Sequence, residues 1–185
     1  MTKHLPNILT IIRVLLIPVM ILFYFLPVPW SNIAACAVFV AASMTDFFDG
    51  YFARKHNTYS KFGAFLDPVA DKLTVTTALV ILLRNHPTIL MMIATAIIIG
   101  RELTISALRE WMAELGKRAT VNVLMVGKIK TVFQMMAIGF LLFEHDLLGL
   151  PVYTIGLVLL YVAAALTLWS MFAYLRAAWP LLSET

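Results

Sequence analysis

Asp46 and Asp49 stand three residues apart, and Asp67 and Asp71 stand four apart. On a helix either spacing puts both carboxylates on one face. Both pairs sit at the edge of strongly apolar runs, where four gathered anions need cations or protonation. Oxygen-only ligands at this density suit Mg²⁺ or Mn²⁺. Two such ions clamping a phosphoryl group are the natural use of the cluster. A structural alternative lets Arg54, Lys55, Lys61 and Lys72 pair with the aspartates and orient helices. Gly50, directly after Asp49, and Gly63, one turn before Asp67, shift the balance, because bare backbone beside carboxylates lets a helix or a flat ligand approach closely.

A second group is basic. Counting the helical rise from Thr88 and from Phe143 brings Arg101, Lys128 and Lys130 to about the depth of the aspartates. Cations that deep are costly unless paired or liganded. Arg109 and Arg118 lie nearer the surface and complete a basic funnel suited to an anionic substrate. Glu102, Glu110 and Glu114 offer ordinary helix pairing as the alternative. His4, His56, His86 and His145 are dispersed without metal-ligand spacing. No serine and histidine are placed for nucleophilic catalysis, and a direct displacement needs none.

The elements that must position these groups follow from composition. Of 185 residues 62% are hydrophobic and 13% charged, about half the charged share of a soluble domain. The expectation is an all-α polytopic membrane protein, one domain over residues 1–185, with six spans near 8–26, 31–55, 61–83, 88–115, 119–143 and 151–178. Residues 8–26 imitate a signal peptide, but the run is long and Pro27 to Trp30 offers no cleavage site, so a retained helix is expected. Ile33-Ala34-Ala35 before Cys36 resembles a lipoprotein box, although cutting there would discard the first span. A lone cysteine excludes an intrachain disulfide. Pro27 and Pro29, Asn85 and Pro87, and His145 through Pro151 mark three turns on one side. Arg84 is the only Lys or Arg among them, so the positive-inside rule puts both termini in the cytoplasm. The basic surplus then faces an anionic leaflet and not nucleic acid. By helical rise, Asp46 lies roughly 22 Å below Ser31 and Asp71 roughly 20 Å below Arg84. All four aspartates thus gather near the cytoplasmic edge, where spans two and three can face each other. Trp30 and Trp179 read as interfacial anchors. Intramembrane carboxylates also mark cation or proton transporters, but those centre their sites near the midplane and show inverted repeats. No internal repeat is present here.

The run DFFDGYFAR from Asp46 to Arg54, followed after eight residues by GAFLDPVAD from Gly63 to Asp71, resembles the CDP-alcohol phosphotransferase signature. Asp46, Asp49, Gly50, Ala53, Arg54, Gly63, Asp67 and Asp71 match its eight fixed positions. Similarity to the family's bacterial phosphatidylglycerophosphate synthases extends through PNILTIIR from Pro6 to Arg13, Arg101-Glu102, and LREWMAELGKR from Leu108 to Arg118. The resemblance implies six transmembrane helices, a homodimer in the bacterial inner membrane, and a two-metal site open to the cytoplasm. It implies Asp46, Asp49 and Asp67 as ligands, and Asp71 as ligand and general base on the attacking hydroxyl. CDP-diacylglycerol is the implied donor, with Gly50, Ala53 and Gly63 around the nucleotide, Arg54 at the pyrophosphate, and polar contacts from Asn7 and Thr10 unless those two only cap and turn. Glycerol 3-phosphate is the implied acceptor, held by Arg101, Arg109, Arg118, Lys128 and Lys130. Phosphatidylglycerol, serine or an inositol phosphate are the acceptors a relative of the same fold would use instead.

Overall fold

The computed structural model describes residues 5–56, 61–114 and 125–182, with side chains described over 8–45, 63, 65–108, 110–112 and 129–176. Among these the chain forms six α-helices: α1 Leu5–Tyr24, α2 Ser31–His56, α3 Lys61–Asn85, α4 Ile89–Glu114, α5 Met125–Phe143 and α6 Val152–Leu182. Their ends follow hydrogen bonding more closely than hydropathy. The Thr88 hydroxyl accepts from the Met91 N–H at 3.2 Å, an N-cap that starts α4 just after Pro87. Between α5 and α6, Leu148 and Gly149 both take positive φ (53° and 80°). That is the pairing a type I′ turn requires, and Leu150 N–H closes it on the Leu147 carbonyl at 2.9 Å. The expected fifth span begins at 119, whereas α5 begins at Met125; residues 115–124 lie outside the described ones.

Helix α1 packs on both α2 and α3, α5 packs along α6 and against α2, and α4 leans on α6. Contact between α2 and α3 is shorter than either makes with α1. The sequence suggests two carboxylate pairs facing across an α2–α3 interface; α2 and α3 do touch, while α1 takes the larger share of both helices and the side chains of Asp46 and Asp49 lie outside the described ones. Gly156 on α6 sits where an added Cβ would come within 3.0 Å of Leu141 Cγ and 3.1 Å of Phe140 Cβ, so the absent side chain sets the α5–α6 distance. The interior is apolar, with Met20, Phe39, Leu79, Ile98, Leu141 and Leu160 fully enclosed. The outside is apolar too: Leu15, Leu22, Leu90, Leu103, Trp169 and Phe172 are all exposed. Helices apolar all round are suited to a hydrocarbon surround. Ile89–Met112 and Val152–Arg176 are long and apolar enough to cross a bilayer, and Ile8–Tyr24, Ser31–Thr45 and Ile129–Phe143 form shorter apolar stretches.

The three Pro-marked turns meet at one end of the bundle. There Glu144 contacts His86 Nε2 at 2.7 Å and accepts from the Asn32 amide, and Asn85 donates to the Tyr24 hydroxyl at 3.0 Å. Arg84 lies over the Phe25 ring at 4.5 Å. These contacts join the ends of α1, α2, α3 and α5, leaving the aspartates at the opposite end.

Candidate functional site

Helix α3 carries Asp67 and Asp71 on one face, one turn apart. Pro68 lies between them, inside the helix. A proline has no N–H to return to the carbonyl four residues earlier, so the backbone beside Asp67 is one hydrogen bond short of a regular turn. Gly63, one turn before Asp67, is buried. From α1, fully buried Thr10 donates its hydroxyl to Asp67 Oδ1. Thr10 lies well inside α1 and does not cap it; its hydroxyl serves the carboxylate. Asp46, Asp49, Gly50, Ala53 and Arg54 lie on α2 and Asn7 on α1, with side chains outside the described ones.

These residues fit a divalent cation by donor chemistry. Asp67 and Asp71 offer hard oxygens, and the Thr10 hydrogen bond fixes one of them in orientation. Among the described residues no three His, Cys, Asp or Glu side chains converge; the other half of the expected set, Asp46 and Asp49, falls outside that group.

The basic group assembles in part. Helices α4 and α5 do not pack backbone to backbone. Their long side chains bridge the space between them: Lys130 Nζ meets Glu102 Oε1 at 2.6 Å, and Arg101 Nη1 meets the same oxygen at 3.3 Å. Lys130 is 2% exposed. Asp71 on α3 is close enough to act electrostatically on Lys130, and Lys72 on Glu102. The general-base candidate therefore lies near Lys130, whose partner Glu102 also meets Arg101. Arg101 Nε is buried with no hydrogen-bond partner among the described residues, an uncommon state for a buried donor and one that an anion would relieve. The side chains of Arg109 and Lys128 lie outside the described ones, and Arg118 lies outside the described residues altogether.

Two residues escaped the sequence reading. Glu102, which the sequence offers only as an alternative partner within α4, does meet Arg101 on its own helix and also reaches Lys130, twenty-eight residues away; nothing local signals that second contact. Arg13, three residues after Thr10, is only 1% exposed. A lone charge in an otherwise apolar first helix was the available signal.

Beside the site, an apolar groove of about 570 Å³ runs between α2 and α5, lined by residues such as Phe39, Ser43, Met44, Met136 and Phe140. Its α2 wall ends within a turn of Asp46.

The CDP-alcohol phosphatidyltransferase family profile matches residues 3–169. Relatives from Escherichia coli, Shigella flexneri serotype 5b and Shigella boydii serotype 4 are each 48% identical over 178 residues, covering 96% of this chain and 96% of the relative. Each bears the name CDP-diacylglycerol--glycerol-3-phosphate 3-phosphatidyltransferase.

Proposed function

The chain belongs to the CDP-alcohol phosphatidyltransferase family, and from that we propose that it transfers the phosphatidyl group of CDP-diacylglycerol to sn-glycerol 3-phosphate. The products are phosphatidylglycerophosphate, a precursor of acidic phospholipids, and CMP. The observation that carries this reading is 48% identity along nearly the whole length of both chains, with every signature position filled.

A hydroxyl oxygen of glycerol 3-phosphate attacks the phosphorus that bears diacylglycerol, and the P–O bond to CMP breaks with its electron pair leaving on CMP. Asp71 takes the hydroxyl proton. Its closeness to Lys130 supports that role, since an acceptor phosphate held by Lys130 and Arg101 would bring its own hydroxyl toward α3. Arg101 Nε has a donor to give, and Lys130 can share its charge between Glu102 and a phosphate. Arg109, Arg118 and Lys128 complete the acceptor funnel. Asp46, Asp49, Asp67 and Asp71 would hold two Mg²⁺ or Mn²⁺ ions. When bound, such ions neutralise charge on the diphosphate and on the departing oxygen. Gly50, Ala53 and Gly63 leave room for cytidine, Arg54 serves the pyrophosphate, and Asn7 and Thr10 close the site from α1. The apolar groove along α2 gives an acyl chain a path into the bilayer from the level of the carboxylates.

All six helices span the membrane as one domain, with both termini and the active site at the cytoplasmic face of a bacterial inner membrane, and the working unit is a homodimer. The acceptor is tested by giving purified protein in vesicles labelled CDP-diacylglycerol with glycerol 3-phosphate, phosphatidylglycerol, serine or inositol phosphate in turn. Product and CMP are expected in equal amounts with glycerol 3-phosphate alone. Preferred transfer to another alcohol would overturn the assignment.

A further inference from the structure

Arg13 is a full charge buried in the first apolar helix. It belongs to the enclosed stripe of α1 that also holds Thr10, Met20 and Tyr24. A buried guanidinium is costly unless anions lie nearby. Among the described residues α1 packs only against α2 and α3. The ten acidic residues of the chain distribute so that the acids on those two helices are Asp46, Asp49, Asp67 and Asp71 and no others. Glu102 is engaged by Lys130 and Arg101, and Glu144 stands at the far end with His86. Direction agrees with composition. Helical side chains lean toward the N-terminus, so Arg13, one turn beyond Thr10, projects back toward the level at which Thr10 meets Asp67.

We propose that Arg13 is a positioning residue, the permanent counter-charge of the aspartate cluster, which holds the carboxylates together from the membrane side while the metal-binding side stays open to water. This rests on the metal-site reading above. It gives the cluster a way to remain folded between turnovers, when metal and diphosphate are absent and four carboxylates would otherwise repel. It also sets a sign. Arg13 and a bound metal ion are two cations sharing the same anions, so each weakens the other's hold.

The test is direct Mn²⁺ binding to the detergent-purified full chain, measured by the electron paramagnetic resonance of free Mn²⁺, together with thermal unfolding in EDTA and in saturating Mn²⁺. Arg13→Gln is expected to bind Mn²⁺ about tenfold more tightly, as loss of one nearby charge at an intermediate dielectric implies. It should lose stability mainly in EDTA, and kcat should fall more than either KM rises. Arg13→Lys, which keeps the charge, is expected to stay within about twofold of wild type in Mn²⁺ affinity, a fold-change well under one tenfold step. Unchanged or weaker Mn²⁺ binding in Arg13→Gln overturns the proposal, as does an affinity shift in Arg13→Lys as large as that expected for Gln, which applies even if the Gln variant does not fold. A wild-type protein that binds no Mn²⁺ overturns the metal-site reading itself, an outcome distinct from the other two.

Discussion

Thr10 and Asp67 are fifty-seven positions apart in the chain and share a hydrogen bond. One hydroxyl thereby fixes the orientation of a carboxylate proposed to hold metal. Thr10→Val keeps shape and volume and removes only that donor. A hydrogen bond to a charged acceptor is worth about 1.5–3 kcal/mol, so kcat should fall about tenfold to a hundredfold at saturating metal. Unfolding temperature should fall as well, by several degrees, and the assay is steady-state turnover beside a melting curve. At this scale the sequence was informative about the aspartates, because i, i+3 and i, i+4 spacing is a local property that any helix enforces. It was silent on the contact of Glu102 with Lys130, because that depends on how α4 and α5 are rotated and how far apart they stand. Arg13 falls between: the charge was visible in the sequence, but its burial depended on α1 being pressed between α2 and α3.

The helices themselves were readable from apolar runs and from the prolines that interrupt them, since Pro27, Pro87 and Pro151 fall in or at the connections. Neighbour order was less so. An antiparallel hairpin such as α2 and α3 suggests mutual packing, yet α1 engages both more extensively, and nothing in hydropathy distinguishes the two arrangements when every face is apolar. Close approach of α5 and α6 is set by a single missing side chain at Gly156. Gly156→Val would drive branched carbons into Leu141 and Phe140, and overpacking of this kind costs about 1–3 kcal/mol. The expected result is a lower unfolding temperature in detergent with turnover per folded molecule close to wild type, because the contact lies on the far side of α5's apolar stretch from Lys130. A melting temperature equal to wild type would mean that α5 and α6 can separate freely at this level.

For the molecule as a whole, the design is a division between two ends. One end ties its turns together through Glu144, His86, Asn32, Asn85 and Tyr24. The other carries the aspartates of α2 and α3 and the Lys130–Glu102–Arg101 contacts, and it is where the proposed chemistry would take place. Orientation in the bilayer is read from the Lys and Arg distribution, and it makes a direct prediction. In intact cells a cysteine at Asn85 should react with an impermeant maleimide from outside, and one at Lys117 only after the cells are opened; the reverse pattern would invert the topology.

The measurement that bears most directly on the proposed chemistry is turnover of Asp46→Asn, Asp49→Asn and Asp67→Asn in reconstituted vesicles supplied with CDP-diacylglycerol, glycerol 3-phosphate and Mg²⁺ or Mn²⁺. Each variant should insert and melt as a folded protein, yet release CMP at a rate reduced by about a hundredfold to a thousandfold, the scale of losing one electrostatic stabiliser of developing charge. Folded variants that release CMP at near-wild-type rates would show that the aspartates are not the metal site, and that phosphatidyl transfer proceeds without them.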